Sequence, residues 1–270
     1  MTMSLQGRKA IVTGGAQGIG AAIVRGLAAA GATVAIVDRQ EDKAKALAAQ
    51  VGKGIVTVVA DLASADDCRK AVRSASKALG GLDILVNNAA PGRNREVIGR
   101  IADAADWEQH ESIVLKAAAS MAEAALDGLG ASGHGAIVNV SSILASTVGA
   151  DQSSLAYHVS KAGLDQFTRW LAVRCGGSGV RVNAVAPGLV DRDGGPKLTD
   201  NPANRKIVEA VVPLRRAGTG REISDAVVFL ASDAAAYITG QILTVDGGLT
   251  VNEVFGASLR AFTVARGGDV

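Results

Sequence analysis

Tyr157 and Lys161 stand four residues apart in a stretch with helical periodicity, so their side chains share one face. A phenol titrates near about 10 and is a poor base at neutral pH. An adjacent ammonium favours the phenolate, by about 1.4 kcal/mol for each pKa unit gained. Such a pair suits general acid/base work on a hydroxyl or carbonyl group.

A second constellation is Thr13-Gly14-Gly15-Ala16-Gln17-Gly18-Ile19-Gly20, between an apolar run and a helical stretch. Glycine permits a tight turn and lets backbone N–H groups approach a pyrophosphate. The helix start that follows adds unpaired donors and the positive end of a dipole. Gly14, Gln17, Gly18, Ile19 and Gly20 are therefore the expected dinucleotide contacts. No Gly-Lys-Ser/Thr step follows, which excludes a nucleotide-triphosphate loop. Asp38 closes the next apolar run, 18 residues after Gly20. A carboxylate there accepts bonds from ribose hydroxyls and repels a 2′-phosphate, favouring NAD over NADP. Arg39 could pair with such a phosphate, but the Asp38 carboxylate would then face the added charge.

The elements that position these groups alternate. Apolar, β-branched runs at Lys9–Thr13, Thr33–Val37, Ile55–Val59, Asp83–Val86, Ala136–Val140, Val180–Val185 and Gln241–Val245 read as strands. Helices are expected at Gly18–Ala30, Asp42–Val51, from Ser64, over Asp103–Leu129 as one long element, Ser154–Arg174 and Glu222–Ala231. Near-continuous apolar strands are buried on both faces, as in a parallel sheet. The alternation predicts a three-layer, doubly wound α/β (Rossmann) fold around a mostly parallel seven-stranded sheet. No linker or repeat divides the chain, so residues 1–270 read as one dinucleotide-binding and catalytic domain with a C-terminal arm at 249–270. Two stretches without strong periodicity, Pro91–Ile101 and Gly188–Asn204, leave the C-terminal ends of strands, where such sheets bind ligands.

Composition narrows the function. The 270 residues are 48% hydrophobic and 20% charged, enough for a full core. A net charge of +2 and 3% aromatics argue against nucleic-acid binding. Cys68 and Cys175 form no metal spacing and read as reduced thiols of a cytoplasmic protein. His110 and His134 have no cysteine or carboxylate partners at ligand spacing, so no metal is implied, and His158, on a different helix face from its neighbour Tyr157, reads as packing or surface. No apolar run reaches membrane-spanning length, and the first nine residues lack a secretory apolar segment.

Thr13-Gly14-x3-Gly18-Ile19-Gly20, Asn87-Asn88-Ala89-Ala90, Tyr157-x3-Lys161, Asn183-x3-Pro187-Gly188 and Asp246-Gly247-Gly248 occur in this order. Together they resemble the short-chain dehydrogenase/reductases, in their compact single-domain branch, over about residues 5 to 250. The resemblance implies hydride transfer between a secondary alcohol and NAD, with Tyr157 as general acid/base. It implies that Ser142 binds the reacting oxygen, with Ser141 as the other candidate because the segment up to Tyr157 is about two residues longer than usual. It implies that Lys161 also holds the nicotinamide ribose. Asp61-Leu62 would meet the adenine, Asn88 the cofactor ribose, and Pro187 with Val190 the nicotinamide amide.

Two positions depart from the family pattern. Val114 stands where a helix asparagine usually helps relay protons, and Arg192 where a threonine is often found. With Arg93 and Arg95, Arg192 could receive an anionic substrate. The alanine stripe Ala117, Ala118, Ala119, Ala122, Ala124 and Ala125 permits close helix approach, as in ordinary sheet packing, and the resemblance also makes it a candidate subunit contact of a homotetramer. The expected activity is an NAD(H)-dependent alcohol/ketone oxidoreductase acting on a small molecule, with no nucleic-acid or membrane partner. An NADPH-dependent ketoreductase and a non-catalytic NAD-binding scaffold are the alternatives; the intact Ser142, Tyr157 and Lys161 argue against the scaffold.

Overall fold

A computed structural model of the chain describes residues 3–92, 95–101, 103–192, 195 and 197–265. Nine strands are present among them: β1 (Lys9–Thr13), β2 (Thr33–Asp38), β3 (Ile55–Val59), β4 (Ile84–Asn87), β5 (Ala136–Val140), β6 (Arg181–Pro187), β7 (Val190–Asp191), β8 (Gly218–Thr219) and β9 (Ile242–Val245). Seven form one sheet in the order β3-β2-β1-β4-β5-β6-β9, and every pairing in it is parallel. Val12 of β1 lies between Ile36 and Val86 in register. Strand order reverses between β1 and β4, so their C-terminal ends open the crevice in which such sheets bind ligands. Residues 34–37, 84–86 and 136–138 are fully or almost fully buried, as the apolar runs require.

The helices are α1 (Gly18–Ala29), α2 (Glu41–Val51), α3 (Ala65–Leu79), α4 (Ala104–His110), α5 (Ala117–Ser132), α6 (Leu155–Cys175), α7 (Pro202–Val211), α8 (Gly220–Ala231) and α9 (Val254–Ala265). On one face of the sheet, Ile23, Val24 and Leu27 of α1 pack with Ile223 and Val227 of α8. That approach needs glycine: a Cβ at Gly26 would lie 2.0 Å from Ser224 Oγ. On the other face Val72, Met121, Leu129 and Leu171 cover β1, β4 and β5. Side-chain caps set the helix starts. Ser64 accepts the Asp67 N–H, and Ser154 accepts the Tyr157 N–H at the head of α6. Arg181 closes α8 by donating to the carbonyl oxygens of Leu230, Ala231 and Ser232.

The structure departs from the sequence expectation in several places. The long helix at Asp103–Leu129 is α4 and α5 joined by a π-helical turn over Glu111–Lys116, with Val114 buried inside it. Ala117, Ala118, Ala122 and Ala125 are buried within the chain, in keeping with ordinary sheet packing, while Ala124 is half-buried and Ala119 exposed. β7 and β8 form a separate parallel pair, each two residues long and too short for a periodic signal. The arm holds α9, which packs on α7; residues 266–270 lie outside the described residues. No helix among the described residues is long and apolar enough to cross a membrane.

Candidate active site

The glycine turn links β1 to α1 at the crevice. Gly14 and Gly18 have φ of 60° and 57°, the left-handed region that favours glycine. A Cβ at Gly20 would fall 2.1 Å from the Gly14 carbonyl oxygen, and one at Gly14 2.9 Å from Ala89 Cα. Gln17 caps α1 without a side-chain bond, leaving first-turn N–H groups for an outside acceptor. Its Oε1 accepts instead from Lys43. Asn88 serves as a strut: Nδ2 donates to the carbonyls of Thr13 (3.0 Å) and Gly14 (2.9 Å), and Thr13 Oγ1 accepts the N–H groups of Asn88 and Ala89.

Asp38, at the end of β2, accepts from Ala16 N–H at 3.0 Å and Gln40 N–H at 2.9 Å. It is 6% exposed. Each carboxylate oxygen keeps a lone pair for a further donor. β2 and β3 end side by side, so exposed Asp61 and buried Leu62 follow next to Asp38. The bare cradle, the uncapped helix start and the fixed carboxylate at its side fit the pyrophosphate and ribose of a dinucleotide.

The second cluster lies where β5 meets α6. Lys161 is 3% exposed; its Nζ donates to the Val140 carbonyl at 2.6 Å and lies 5.9 Å from the Tyr157 ring centroid. Burial pushes the Lys161 ammonium down to about 8; Asp165, one turn on, favours its charge and Arg192 opposes it. Burial raises the Asp165 carboxyl, while the nearby Ser141 hydroxyl, Arg169 and Lys161 pull it back. Successive residues of extended chain point oppositely, so Ser141 turns towards Asp165 and Ser142 away from it. Ser142 caps the turn Ile143–Ala145 by accepting the Leu144 N–H at 3.2 Å.

The extended segment before Tyr157 is tied back by His158. Nδ1 of His158 meets the Ser154 carbonyl at 2.7 Å, and Nε2 accepts the Gly149 N–H at 3.1 Å. Pro187 ends β6, and Gly188 packs so closely on Asp246 that a Cβ would lie 2.6 Å from its side chain. Burial raises the Asp246 carboxyl, but bonds from Thr250 and Gly248 leave it below the usual range. Asn183 bridges β6 to the Ile238–Gln241 approach to β9. Val190, in β7, is half-buried, and exposed Arg192 follows it. Arg93 lies outside the described residues.

Sequence reasoning missed His110. The structure packs it against Tyr157 and pairs it with Asp106. The sequence reading gave His110 no carboxylate partner, although Asp106 stands four residues before it, and its proximity to α6 was not legible. Among the described residues no cluster of His, Cys, Asp and Glu could hold a metal ion.

Known proteins with the same layout are numerous. The family described as enoyl-(acyl carrier protein) reductase matches residues 14–250. The chain is 41% identical over 247 residues to a cis-4-hydroxycyclohexanecarboxylate dehydrogenase of Sinomonas cyclohexanicum, covering 90% of this chain and 96% of that one. It is 40% identical over 258 residues to a D-threitol dehydrogenase of Mycolicibacterium smegmatis, covering 92% and 94%. A crystal structure from Sinorhizobium meliloti 1021, of a candidate short-chain alcohol dehydrogenase, superposes with a TM-score of 0.84 at 35% identity, over 94% of this chain and 100% of that one. With its glycine turn, its crevice and its Tyr157–Lys161 pair, the chain belongs to the short-chain dehydrogenase/reductase family of oxidoreductases.

Proposed function

We propose that the protein is an NAD-linked dehydrogenase interconverting a secondary alcohol and a ketone. The observation that carries this reading is the burial of the Lys161 ammonium between the Val140 carbonyl and the Tyr157 ring, two residues from Ser142. Ser142 Oγ holds the substrate oxygen. Tyr157, as phenolate, takes the hydroxyl proton in oxidation and returns it in reduction. Lys161 favours that phenolate and binds the nicotinamide ribose. Gly14, Gln17, Gly18, Ile19 and Gly20 receive the pyrophosphate, Asp38 the adenosine ribose, Asp61 and Leu62 the adenine. Asn88 braces the turn from behind, and Pro187 and Val190 flank the nicotinamide. Bound NAD supplies the hydride acceptor.

The Asp38 carboxylate supports NAD over NADP, because a negative charge fixed by the Ala16 and Gln40 N–H groups at the end of β2 would repel a 2′-phosphate. Residues 1–270 act as one catalytic domain with an arm at 249–270. The substrate is a small alcohol of the kind named for the two dehydrogenase relatives. Exposed Trp170 and Val173 on α6 suit a homo-oligomer, proposed as a tetramer, better than the buried alanines do.

Fluorescence titration of the purified protein with NADH and NADPH tests the reading. Tight NADH binding with weak NADPH binding is expected. Tyr157→Phe should keep NADH binding and lose turnover by about 10²–10⁴-fold. A protein that binds neither dinucleotide, or a Phe variant that turns over normally, would overturn the proposal.

A further inference from the structure

A second titratable pair lies against Tyr157. His110, the last residue of α4, is 5% exposed. Its ring meets the Tyr157 ring at a centroid distance of 5.8 Å and an interplanar angle of 88°. Nδ1 of His110 lies 2.9 Å from the Asp106 backbone oxygen and 3.2 Å from its carboxylate Oδ1. Both are acceptors, so Nδ1 carries the proton and Nε2 keeps a lone pair in the neutral ring. Nε2 makes no hydrogen bond among the described residues. The Asp106 carboxylate is buried, so an imidazolium at His110 would have its counter-charge in place.

The other groups around Tyr157 already have partners. His158 has both nitrogens bonded to the main chain, and Lys161 donates to Val140. Val114, one turn beyond His110, is buried and apolar. Glu111, beside His110, is half exposed and paired with Lys116. Arg192 acts on this cluster through Lys161. His110 therefore carries an unbonded basic nitrogen on a ring in contact with that of Tyr157.

We propose that the Asp106–His110 pair is the proton acceptor behind Tyr157, a proposal that rests on the acid/base role given to Tyr157 above. In alcohol oxidation the substrate O–H bond breaks and the proton bonds to the Tyr157 phenolate. That Oη–H bond then breaks, its electron pair staying on oxygen, and its proton passes through a bridging water to form an N–H bond at His110 Nε2. Asp106 balances the imidazolium, and the proton passes to solvent as product leaves. Reduction runs the same path backwards. His110 touches no substrate and acts through Tyr157, as a store for the proton.

The chain has three histidines, which makes nitrogen-15 histidine NMR tractable. Tyr157→Phe keeps the ring contact and removes only the hydroxyl. It should move the His110 titration midpoint by about 0.5 pH unit or more while His134 stays in place. In turnover with NAD and cis-4-hydroxycyclohexanecarboxylate or D-threitol, His110→Phe should lower kcat at least about tenfold and leave the KM for NAD alone. Added imidazole should restore His110→Ala. An unmoved midpoint, or a His110→Phe enzyme with the wild-type kcat and pH profile, would overturn the pair's role. If NADH does not bind or neither alcohol reacts, the cofactor or substrate reading is at fault, and the NMR shift alone decides this inference.

Discussion

The Asp38 carboxylate holds in place the turn that it faces: Oδ2 accepts the Ala16 N–H at 3.0 Å. The residue proposed to set the cofactor preference is thus also a structural tie between β2 and the glycine turn. Asp38→Ala removes the acceptor from a buried N–H, at a cost of about 1–3 kcal/mol. It should lower Tm by about 5 °C and weaken NADH binding together. Asp38→Asn retains an acceptor for Ala16, so its Tm should fall less while its preference against NADPH narrows. Melting curves and dinucleotide titrations on both variants check this. Equal stability of wild type and Asp38→Ala would show that the tie carries no weight.

The glycines of the turn should not behave alike. Gly20→Ala drives a Cβ to 2.1 Å from the Gly14 carbonyl, so the backbone itself must move. Loss of NADH binding and a stability loss of several kcal/mol, about 3 or more, are expected. Gly18→Ala meets only Arg192 Cδ at 3.9 Å, and its cost is that of the left-handed backbone, about 1–2 kcal/mol. Urea unfolding of the two variants should rank them in that order; the reverse order would mean the turn is built differently.

Lys161 gives a pH signature with a definite sign. Burial holds its folded-state pKa at about 8, below the ordinary 10.5. Below pH 8 both states carry the charge, and the full cost of burying it is present. From about pH 8 to 10.5 the unfolded chain binds a proton that the folded chain does not, so this contribution to stability rises with pH. Lys161→Met lacks the effect. Whatever the offset at pH 7, the stability difference should move in favour of the wild type by about 2–3 kcal/mol by pH 10. Urea unfolding at pH 7 and pH 10 measures it, and a flat difference would mean that the ammonium is not desolvated.

What local sequence encodes was legible, and what depends on distant packing was not. Tyr157 and Lys161 declare themselves by a spacing of four, and β1, β2 and β4 by unbroken apolar runs. The turn shows in its glycines because only they fit φ near 60° beside Ala89 and Asn88. The π turn at Glu111–Lys116 leaves the alanine-rich pattern unmarked, since every residue there also suits an α-helix. His110 reaches Tyr157 only because α4 lies against α6, a contact across 47 positions that no periodicity reports. The same holds for the alanine stripe, whose small side chains suit a subunit contact and a tight intrachain layer equally until the sheet is in place.

Arg192 supplies the last prediction. Its Cδ comes within 3.9 Å of the point where a Gly18 side chain would begin, and its charge depresses the Lys161 ammonium. It makes no hydrogen bond or ion pair among the described residues. The expected partner of a guanidinium between the glycine turn and the lysine is a phosphate oxygen bound at that turn. Arg192→Gln should weaken NADH and ADP-ribose by the same factor, about tenfold, and leave adenosine unaffected. Dependence of NADH binding on ionic strength should become shallower in the variant. If NADH binding is unchanged and the KM of a carboxylate-bearing alcohol rises, Arg192 is instead the anchor of an anionic substrate, and the cradle binds its dinucleotide through the main chain of the turn and the α1 dipole alone.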